Sequence, residues 1–489
     1  MLIDANSNDL LISHQKHVRE IQIWADDAVA TRDKWHKRNS YFRKLDSDYL
    51  KFLVGPGQRI LALGCGFGSK LFSLNPSLGI GVDISPSKIK KAVEQYPNLD
   101  FFVGDIEDPA LLHTLSKYGT FDVILLSDSL GYISDIHAFL ENLKVLCSSS
   151  TRLVSVYYAK FWEPLLKLSE LLNLRMKTIK TNWLRMSDVE NFFDLSGFQT
   201  VKKEWRVLLP INFIGLGPLI NNWLATLPLI RMLCLRHYLI ARLTPLPSSV
   251  QHSVTVLIPC RNEKGNIEEA VKRLPKLGSH TEIIFVEGYS SDGTWSELKR
   301  VKGLYADLDI KILQQNGIGK GDAVREGFSA ASGEILMILD ADLTVPPEDL
   351  PKFYEQIRSG NGEFINGSRL VYSMEDRAMR LLNYLANLIF AKTFTFILNQ
   401  PFTDTLCGTK VISRENYLKL LGNRNYFGDF DPFGDFDLIF GATKLNLKIV
   451  EVPVRYRRRR YGKTQISRFR HGLLLVQMVI FAYKKLKVV

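Results

Sequence analysis

Two aspartates, Asp340 and Asp342, are the residues of this chain whose types and spacing point most directly to chemistry. They follow an apolar run, residues 335–339, that has the length and composition of a buried strand. Carboxylates at the mouth of a buried strand are costly unless a cation pairs with them, and hard divalent cations prefer carboxylate oxygen. We therefore predict a Mg²⁺ or Mn²⁺ site at this pair, open to a diphosphate leaving group such as that of a nucleotide-sugar. A solvated turn with two surface acids is the alternative for the pair taken alone.

The composition limits the class of protein. At 489 residues the chain is too long for one ordinary core, so more than one domain is expected. The net charge of +12 favours anionic partners such as nucleotides, phosphates or acidic lipid surfaces. The five cysteines lack zinc or redox spacing, the polar start of the chain does not resemble a signal peptide, and no unbroken apolar stretch reaches membrane-spanning length. These features predict a reduced, cytoplasmic setting.

A Pro/Ser-rich stretch at residues 244–252 follows a long apolar region and precedes a new strand pattern, so we interpret it as a linker. It separates a first domain, residues 1–243, from a second, residues 253–489. In both halves short apolar runs alternate with helical patterns. This alternation predicts an α/β protein of two domains, each with a mostly parallel, doubly wound sheet.

In the first half an apolar run, residues 59–63, leads into a glycine-rich turn. A strand that breaks into such a turn lets backbone N–H groups approach a ligand closely. Asp83 ends the next predicted strand, where it is placed to accept the ribose hydroxyls of a nucleoside. Asp105 follows the third strand and is placed to contact an adenine amine. The glycines of the turn are Gly64, Gly66 and Gly68.

In this order of motifs, residues 40–205 resemble the class I S-adenosylmethionine-dependent methyltransferases. The resemblance implies that the turn, Asp83 and Asp105 bind S-adenosylmethionine. The family usually has an acid two positions before the first glycine, where this chain has Ala62. The alternative is therefore a methyltransferase-like domain that has lost activity and serves as a scaffold or binding module.

Aromatic and apolar residues complete the first half. Tyr157, Tyr158 and Trp162 are candidates to line a methyl-acceptor pocket, with core packing as the alternative. Residues 207–243 are strongly apolar but interrupted by prolines and glycines, which disfavours a membrane span. We expect a helical hairpin that lies on a membrane surface or packs between the domains. On a membrane its arginines would face anionic headgroups; they are Arg231, Arg236 and Arg242.

In the second half further polar motifs surround the aspartate pair. Predicted strands at residues 254–258 and 282–286 are each followed by acids, which would meet a nucleotide at one edge of the sheet. Lys320 lies in a tight glycine-rich loop that enters a helix, and a helix N-terminus with a lysine favours phosphate. Basic residues are concentrated late in the chain, at residues 455–460.

Together these motifs resemble the family 2 glycosyltransferases with the GT-A fold, in particular dolichol-phosphate mannose synthase and related polyprenyl-phosphate glycosyltransferases, over residues 253–470. The resemblance implies that Asp340 and Asp342 hold the metal and the donor diphosphate. Glu287 stands where the family usually has the first of two paired aspartates, which leaves the donor open between a GDP-sugar and a UDP-sugar. The residues expected at the nucleotide are Pro259, Arg261, Glu263, Glu287, Asp292 and Lys320.

The acceptor side is expected to be basic. Arg369 and Arg380 match positions that bind the acceptor phosphate in this family, and Arg459 matches an arginine that binds the donor diphosphate from a mobile loop. Guanidinium groups suit this role because they contact phosphate bidentately. No module for base stacking or groove reading accompanies the basic residues, so nucleic-acid binding is not expected. Residues 379–402 and 472–486 are predicted interfacial helices with basic flanks, with ordinary buried helices as the alternative.

These motifs predict a metal-dependent, inverting sugar transfer from a nucleotide-sugar to a polyprenyl phosphate, by a peripheral protein on the cytoplasmic membrane face, with a methyltransferase fused to it. A phosphate acceptor is already anionic and needs alignment, whereas a hydroxyl acceptor needs a general base. Asp404, Asp435 and Asp437 are the available carboxylates, and Asp404 or Asp435 is favoured as base or acceptor-positioning group. A basic nucleic-acid methyltransferase with a nucleotide-dependent second half is a further alternative.

Overall fold

The structure is a computed structural model that describes residues 2–246, 249–372, 381–427, 434–462 and 468–488. Contacts within the chain define two compact units, of which the first ends at Thr244 and the second spans Pro245–Lys487. The predicted domain limits, 1–243 and 253–489 with a linker between them, stay our proposal for the domain organisation.

The first unit is built on one sheet covered by helices. Its strands are β1 (Arg59–Leu63), β2 (Leu78–Asp83), β3 (Asp100–Val103), β4 (Val123–Ser127), β5 (Arg152–Tyr158), β6 (Phe198–Arg206) and β7 (Arg236–Leu243). They lie in the order β3-β2-β1-β4-β5-β7-β6. Its helices are α1 (Leu2–Arg38), α2 (Ser40–Val54), α3 (Ser69–Ser73), α4 (Pro86–Gln95), α5 (Pro109–Leu115), α6 (Ile136–Leu143), α7 (Glu163–Leu171), α8 (Met186–Leu195) and α9 (Leu216–Asn222).

The first five strands are parallel, and only β7 runs antiparallel to its neighbours β5 and β6. The central strands β1 and β4 are almost entirely buried, as expected for parallel strands that helices cover on both faces. β1 coincides with the apolar run at residues 59–63 that the sequence predicts as a strand. The expected α/β, doubly wound architecture is confirmed for this unit.

The apolar segment 207–243 differs from the expectation of a helical hairpin. Its last part is strand β7, which pairs along its length with β5 and β6. Arg236 and Arg242 therefore lie inside the sheet, with 0% and 3% of their surface exposed, and the expectation that they face lipid headgroups is wrong. This strand is apolar because it lies inside the sheet between two neighbouring strands. Hydropathy alone does not distinguish that environment from lipid.

A buried ion cluster neutralises Arg236 at the start of β7. Its Nε lies 3.0 Å from Asp46 Oδ1, and its Nη2 lies 3.1 Å from Asp128 Oδ2. Lys70 Nζ is 2.8 Å from Asp46 Oδ2, and the hydroxyl of Tyr238 donates to Asp46 Oδ1 at 2.6 Å. Burial alone would raise the pKa of Asp46 and Asp128, but Arg236 and Lys70 hold both pKa values below their usual range.

The second unit has a sheet of its own. Its strands are β8 (Val254–Cys260), β9 (Thr281–Glu287), β10 (Asp309–Gln314), β11 (Ile335–Ile338), β12 (Phe364–Ser368), β13 (Lys410–Ser413) and β14 (Ile449–Pro453). They lie in the order β10-β9-β8-β11-β13-β12-β14, and β13 alone runs antiparallel to its neighbours. Its helices are α10 (Ile267–Arg273), α11 (Thr294–Leu304), α12 (Lys320–Ala330), α13 (Leu350–Arg358), α14 (Leu381–Leu398), α15 (Arg414–Gly422), α16 (Phe436–Lys444) and α17 (Arg468–Leu486).

The second unit also has the expected mostly parallel α/β architecture. Short 3₁₀ helices supplement both units at Ser116–Tyr118, Leu130–Tyr132, Lys144–Leu146, Lys160–Trp162, Leu224–Thr226, Ile230–Leu233, Lys264–Asn266, Pro347–Asp349 and Arg424–Tyr426. In the described ranges, no helix combines the length and hydropathy that a membrane crossing requires. The predicted interfacial segments are α14 and α17, which pack against each other.

Replacement of Arg236 by methionine should destabilise the first unit. It leaves the buried Asp46 and the half-buried Asp128 with less positive charge, and removing one partner of a buried ion pair costs about 3–5 kcal/mol. Chemical denaturation of the full chain measures the effect, with the exposed Arg19→Met in α1 as control. Equal unfolding midpoints for the two variants would contradict the role of the cluster.

The same cluster predicts a pH dependence. Because the folded-state pKa values of Asp46 and Asp128 are depressed, their stabilisation is present above the unfolded value of about 4 and is lost as the pH falls below it. The melting temperature of the first unit in wild-type protein should therefore fall between about pH 5 and pH 3 more steeply than in Arg236→Met. Calorimetry across this range compares the two slopes, and equal slopes would contradict this assignment.

Candidate functional site

The acidic residues of the second unit collect at one edge of its sheet. β11 pairs with β8 in parallel, and Leu339 N–H continues the ladder to Leu257 O at 2.9 Å before the chain turns out at Asp340. β9 flanks β8 on its other side, with Glu287 opposite Cys260. Because the carboxyl ends of parallel strands meet at the same edge, Asp340, Asp342 and the acids that follow β8 and β9 lie in one region.

Asp340 is held by a lysine at the start of helix α12. Lys320 Nζ lies 2.7 Å from Asp340 Oδ1 and 3.6 Å from Asp435 Oδ1. Burial opposes ionisation of Asp340, but Lys320 outweighs it and holds the pKa of Asp340 below its usual value. Gly408 leaves the space that this carboxylate occupies, since a Cβ at position 408 would lie 2.0 Å from Asp340 Oδ2.

Asp342 is held by its own turn and by Arg459. Its Oδ1 accepts hydrogen bonds from the backbone N–H of Thr344 at 3.1 Å and from the Thr344 hydroxyl at 2.8 Å. Its Oδ2 accepts from Arg459 Nη2 at 2.7 Å, while Nη1 of the same guanidinium donates to Glu263 Oε1 at 2.8 Å. Arg459 thus links the aspartate pair to the residues that follow β8. Burial raises the pKa of Glu263, and the contact with Arg459 counteracts it.

The residues predicted for the nucleotide are distributed around this link. Glu287 is 1% exposed at the end of β9, where its carboxylate accepts the backbone N–H of Ser290. Asp292 accepts from the backbone N–H groups of Lys264 at 3.2 Å and Thr294 at 3.0 Å, so it fastens the turn after β9 to the turn after β8. Pro259 and Arg261 belong to the end of β8 and the turn that follows it.

Arg369, which follows β12, forms a bidentate pair with Asp404. Arg369 Nε donates to Asp404 Oδ2 at 2.7 Å, and Nη2 donates to Oδ1 at 2.9 Å. Backbone N–H groups of Arg369 and Leu406 also donate to this carboxylate, which is fully buried. Burial by itself would raise the pKa of Asp404. The contact with Arg369 lowers that pKa by more than burial raises it, so the net pKa is below the usual range. This geometry fits a residue that orients Arg369 better than it fits a general base.

Asp435 is the better placed of the two carboxylates favoured as base or acceptor-positioning group. It is 7% exposed and lies between two lysines, with Lys410 Nζ 3.4 Å from its Oδ1. Among the described residues that oxygen accepts no hydrogen bond. Asp437 instead pairs with Arg325 at 3.5 Å. Arg380 lies outside the described residues.

Three contributors to this site were not identified in the sequence. Lys410 begins the apolar strand β13 and is only 1% exposed, yet its ammonium group lies beside Asp435. Thr344 orients Asp342, and Gly408 makes room for Asp340. The lysine at the start of an apolar strand was the one signal in the sequence that could have indicated Lys410, because buried lysines are rare without a partner.

The donor set suits a hard divalent cation. Asp340 and Asp342 supply carboxylate oxygens, and the structure compensates each with a protein cation, Lys320 or Arg459. Carboxylate oxygens in a small set are the ligands that Mg²⁺ prefers, with coordination positions left for phosphate. The residues present therefore fit the predicted metal, and Asp340 and Asp342 are the residues that would hold it.

The predicted cofactor residues of the first unit also meet at one sheet edge. The glycines of the turn after β1 adopt positive φ angles of 76°, 59° and 74°, a conformation that glycine adopts without strain. Gly66 N–H donates to Asp83 Oδ2 at 2.8 Å, so the turn is tied to the end of β2. Asp105 follows β3 at the same edge, where its Oδ2 lies 2.9 Å from His14 Nε2. This arrangement fits an adenosine group, with Asp83 and Asp105 as its acids.

Helix α1 lies across this edge, although no feature of the sequence predicted this position. Besides His14, it contributes Trp24, whose ring stacks on Tyr132 with centroids 5.5 Å apart, and His17, whose Nε2 lies 2.9 Å from Tyr132 O. His14, Asp105 and Glu107 place potential metal-ligand atoms within 4.8 Å of one another. Protein hydrogen bonds already engage all three: the His14–Asp105 contact holds α1, and Glu107 accepts from the backbone N–H groups of Ser134 and Asp135.

A pocket of about 70 Å³, open to solvent, lies next to the ends of β4 and β5. Tyr157 and Tyr158 border it, but Tyr157 is only 6% exposed and also belongs to the apolar core of the unit, so its role in an acceptor pocket stays a prediction. Trp162 does not belong to its lining and instead donates its indole N–H to Leu233 O at 2.8 Å. Further lining residues are Asp128, Tyr132, Arg175, Asn182 and Trp183.

Comparison with known families agrees with this two-part organisation. Residues 255–421 match the model of glycosyl transferase family 2, and residues 55–195 match a methyltransferase domain model. The chain therefore carries a family 2 glycosyltransferase domain and a methyltransferase domain, which confirms both resemblances found in the sequence.

Curated relatives match the second unit in part. The dolichol-phosphate mannosyltransferase of Pyrococcus furiosus is 38% identical over 120 residues, which make up 24% of this chain and 33% of the relative's length. The undecaprenyl-phosphate 4-deoxy-4-formamido-L-arabinose transferase of Enterobacter sp. is 26% identical over 47% of this chain and 67% of the relative.

Among solved structures, the glucosyl-3-phosphoglycerate synthase of Mycobacterium tuberculosis is similar with a TM-score of 0.36 and 18% identity, over 48% of this chain and 80% of that one. The magnesium protoporphyrin IX methyltransferase of Synechocystis PCC 6803 is similar with a TM-score of 0.33 and 15% identity, over 46% of this chain and 99% of that one.

Replacement of Gly408 by alanine should weaken metal binding without unfolding the protein. The new Cβ would lie 2.0 Å from Asp340 Oδ2 and displace that carboxylate. Mn²⁺ titration followed by electron paramagnetic resonance, in the presence of GDP or UDP, should show at least about a tenfold loss of affinity, or about 1.4 kcal/mol. The control is Gly303→Ala in α11, where the added Cβ meets nothing within 4 Å. Equal affinities in the two variants would contradict the assignment.

Proposed function

We propose that the second unit transfers a sugar, with inversion, from a GDP- or UDP-sugar to a polyprenyl phosphate. The observation that carries this proposal is the link through Arg459, which joins Asp342 to Glu263 at the edge where the nucleotide strands end. The relatives named for transfer to dolichol phosphate and undecaprenyl phosphate support the class of acceptor.

The donor diphosphate would lie between the aspartate pair and Arg459. In the structure Arg459 neutralises Asp342 and Glu263, so a diphosphate that enters offers the guanidinium a stronger, bidentate partner. Lys320, at the first turn of α12, is placed to contact the same phosphates. A bound Mg²⁺ or Mn²⁺ would neutralise charge that develops on the leaving nucleotide.

The acceptor phosphate would meet Arg369. The bidentate contact with the buried Asp404 fixes the orientation of this guanidinium before the acceptor arrives. A phosphate is already ionised near neutral pH, so the transfer requires no general base. Asp435 would then position the acceptor, with Lys320 and Lys410 compensating its charge.

Helices α14 and α17 would place this unit on the membrane that carries the acceptor. Each exposes large apolar side chains, and basic residues such as Lys392 and Lys484 accompany them, as in interfacial helices. The exposed apolar residues are Leu385, Ile389, Leu473, Val476 and Ile480. We propose a peripheral location on the cytoplasmic face on this basis.

For the first unit we propose methyl transfer from S-adenosylmethionine to an acceptor in the cavity beside Tyr158. The tie between Gly66 and Asp83 at the strand edge supports cofactor binding although Ala62 replaces the usual acid. Bound S-adenosylmethionine would supply the methyl group. The chain's own contribution is to hold the adenosine at Asp83 and Asp105 and to enclose the acceptor with aromatic residues.

Asp342→Asn should abolish sugar transfer while the fold is retained, because it removes a charge that both the metal and Arg459 require. Release of GDP or UDP from a panel of nucleotide-sugars, with Mg²⁺ or Mn²⁺ and a short polyprenyl phosphate, should fall by at least about 100-fold. Asp349→Asn is the matched control, because the side chain of Asp349 is as little exposed as that of Asp342, 14% against 15%. Near-normal turnover in Asp342→Asn would defeat the metal assignment.

Asp83→Asn should weaken binding of S-adenosylhomocysteine by about tenfold, because an amide accepts only one of the two ribose hydroxyls at comparable strength. Isothermal titration measures this, with the exposed Asp108→Asn as control. Absence of binding to wild-type protein at millimolar ligand would favour an inactive scaffold.

A further inference from the structure

A broad apolar surface of the first unit lies outside the sites described above. One part consists of α7 and the residues that flank it, and the other belongs to the connection between β6 and β7. We call these two parts together the apolar surface. The exposed side chains of the first part are Phe161, Leu165, Leu168, Leu171, Leu172 and Leu174. Those of the second include Ile211, Phe213, Ile214, Leu219, Leu229 and Met232.

The two parts are adjacent in space. Trp162, immediately before α7, donates its indole N–H to Leu233 O at 2.8 Å. The backbone N–H of Ala159 donates to Leu235 O at 2.9 Å. These hydrogen bonds join the beginning of the first part to the end of the second, so their apolar side chains belong to one region of the unit.

Hydrogen bonds and buried side chains fix the backbone of the second part. Asn221 is 6% exposed, and its Oδ1 accepts from the backbone N–H groups of Leu208 at 2.8 Å and Leu209 at 3.0 Å. Its Nδ2 donates to Leu209 O at 2.8 Å and to the hydroxyl of Tyr41 at 3.1 Å. Ala225 and Cys234 fill the inner side. The outward side chains are therefore held out by a fixed backbone, with Leu229 83% and Ile214 81% exposed.

The charges around the apolar surface are basic. Residues 207–235 contain one charged side chain, Arg231, and no acid. The two acids of α7 are compensated within the structure, since Glu163 pairs with Lys167 and Glu170 pairs with Arg175. Further lysines, Lys160, Lys177 and Lys180, flank α7 and the segment after it.

An apolar surface of this extent marks an interaction site, and its charge selects the partner. A second copy of the chain would bring two basic rims together, which is unfavourable. A bilayer with anionic headgroups instead offers an apolar interior to the leucines and negative charge to the lysines. We propose that the apolar surface inserts into the headgroup region of an anionic membrane, so that the first unit has a membrane contact of its own, separate from α14 and α17.

This contact has a consequence for the methyl acceptor, which rests on the proposed methyl transfer. Leu174 is the last exposed apolar residue of the first part, and the next residue, Arg175, lines the cavity beside Tyr158. An acceptor carried by a lipid would thus reach the cavity from the membrane. The class of acceptor that this geometry favours is a lipid-linked molecule.

Sedimentation of the full-length protein with vesicles tests the membrane contact. Vesicles of phosphatidylcholine alone and of phosphatidylcholine mixed with phosphatidylglycerol are compared at low and high salt. The double variant Leu171→Asp, Leu229→Asp changes two side chains that are 77% and 83% exposed, so the fold is retained. We expect wild-type protein to bind the anionic vesicles and the double variant to bind at least about tenfold more weakly, since it loses apolar insertion and adds repulsion.

The control is Leu195→Asp, Leu304→Asp, two leucines that are 60% and 56% exposed and lie outside the apolar surface. A second comparison, Leu473→Asp with Ile480→Asp, reports the contribution of α17. The proposal is overturned if wild-type protein does not bind anionic vesicles, or if only the α17 variant loses binding. It is also overturned if light scattering shows a dimer that the Leu171→Asp, Leu229→Asp variant dissociates, because the surface then belongs to a second copy.

Fluorescence of Trp223 provides an independent test of insertion. A structural effect of the aspartate variants would not produce quenching of this tryptophan by lipid. Its side chain is 46% exposed on the second part of the apolar surface. Brominated lipids in the anionic vesicles should quench tryptophan fluorescence in wild-type protein, and Trp223→Phe should remove part of that quenching. Unchanged quenching in Trp223→Phe would contradict insertion at this surface. Binding of S-adenosylhomocysteine is measured in parallel by isothermal titration, so that failure of the membrane contact and failure of the proposed methyl-transfer site are told apart.

Discussion

The compensation of carboxylate charge at the mouth of buried strands is the constraint on which both units depend. In the second unit Lys320 and Arg459 hold Asp340 and Asp342 at the end of β11. Without these cations two acids beside an apolar strand would be costly to keep ionised. Because the cations belong to a helix start and to a late segment of the chain, the same contacts that stabilise the acids also bring the parts of the site together.

The same solution appears in the first unit, although its cluster is more deeply buried. Arg236 lies between Asp46 and Asp128, and Lys70 reaches both acids from the helix that follows the glycine-rich turn. The cluster therefore connects α2, α3 and β7 to the loop after β4. A buried pair of this kind adds little net stability compared with apolar residues, but it fixes which elements meet. Here it fixes the elements that border the proposed cofactor and acceptor sites.

The two proposed activities share a physical setting. In the proposed sugar transfer the acceptor phosphate would be presented at Arg369, and the pocket proposed for methyl transfer is lined by Arg175, shortly after an exposed apolar helix ends. Exposed apolar side chains occur in both units, on α14 and α17 and on the apolar surface of the first unit. A membrane that carries lipid-linked substrates would account for the exposed apolar residues of each unit.

The sequence by itself determined the strands that carry the motifs, such as those at residues 59–63, 254–258 and 335–339, together with the order of the motifs and the residue types of the sites, because apolar runs and glycine-rich turns are local signals. It identified Asp340, Asp342, Glu263 and Arg459 as members of one site. Only the tertiary structure decided their partners: that Asp404 is occupied by Arg369, that Lys410 is buried beside Asp435, and that residues 236–243 form a strand inside a sheet. These outcomes depend on contacts between residues far apart in the chain, and hydropathy cannot distinguish a buried strand from a lipid-facing segment.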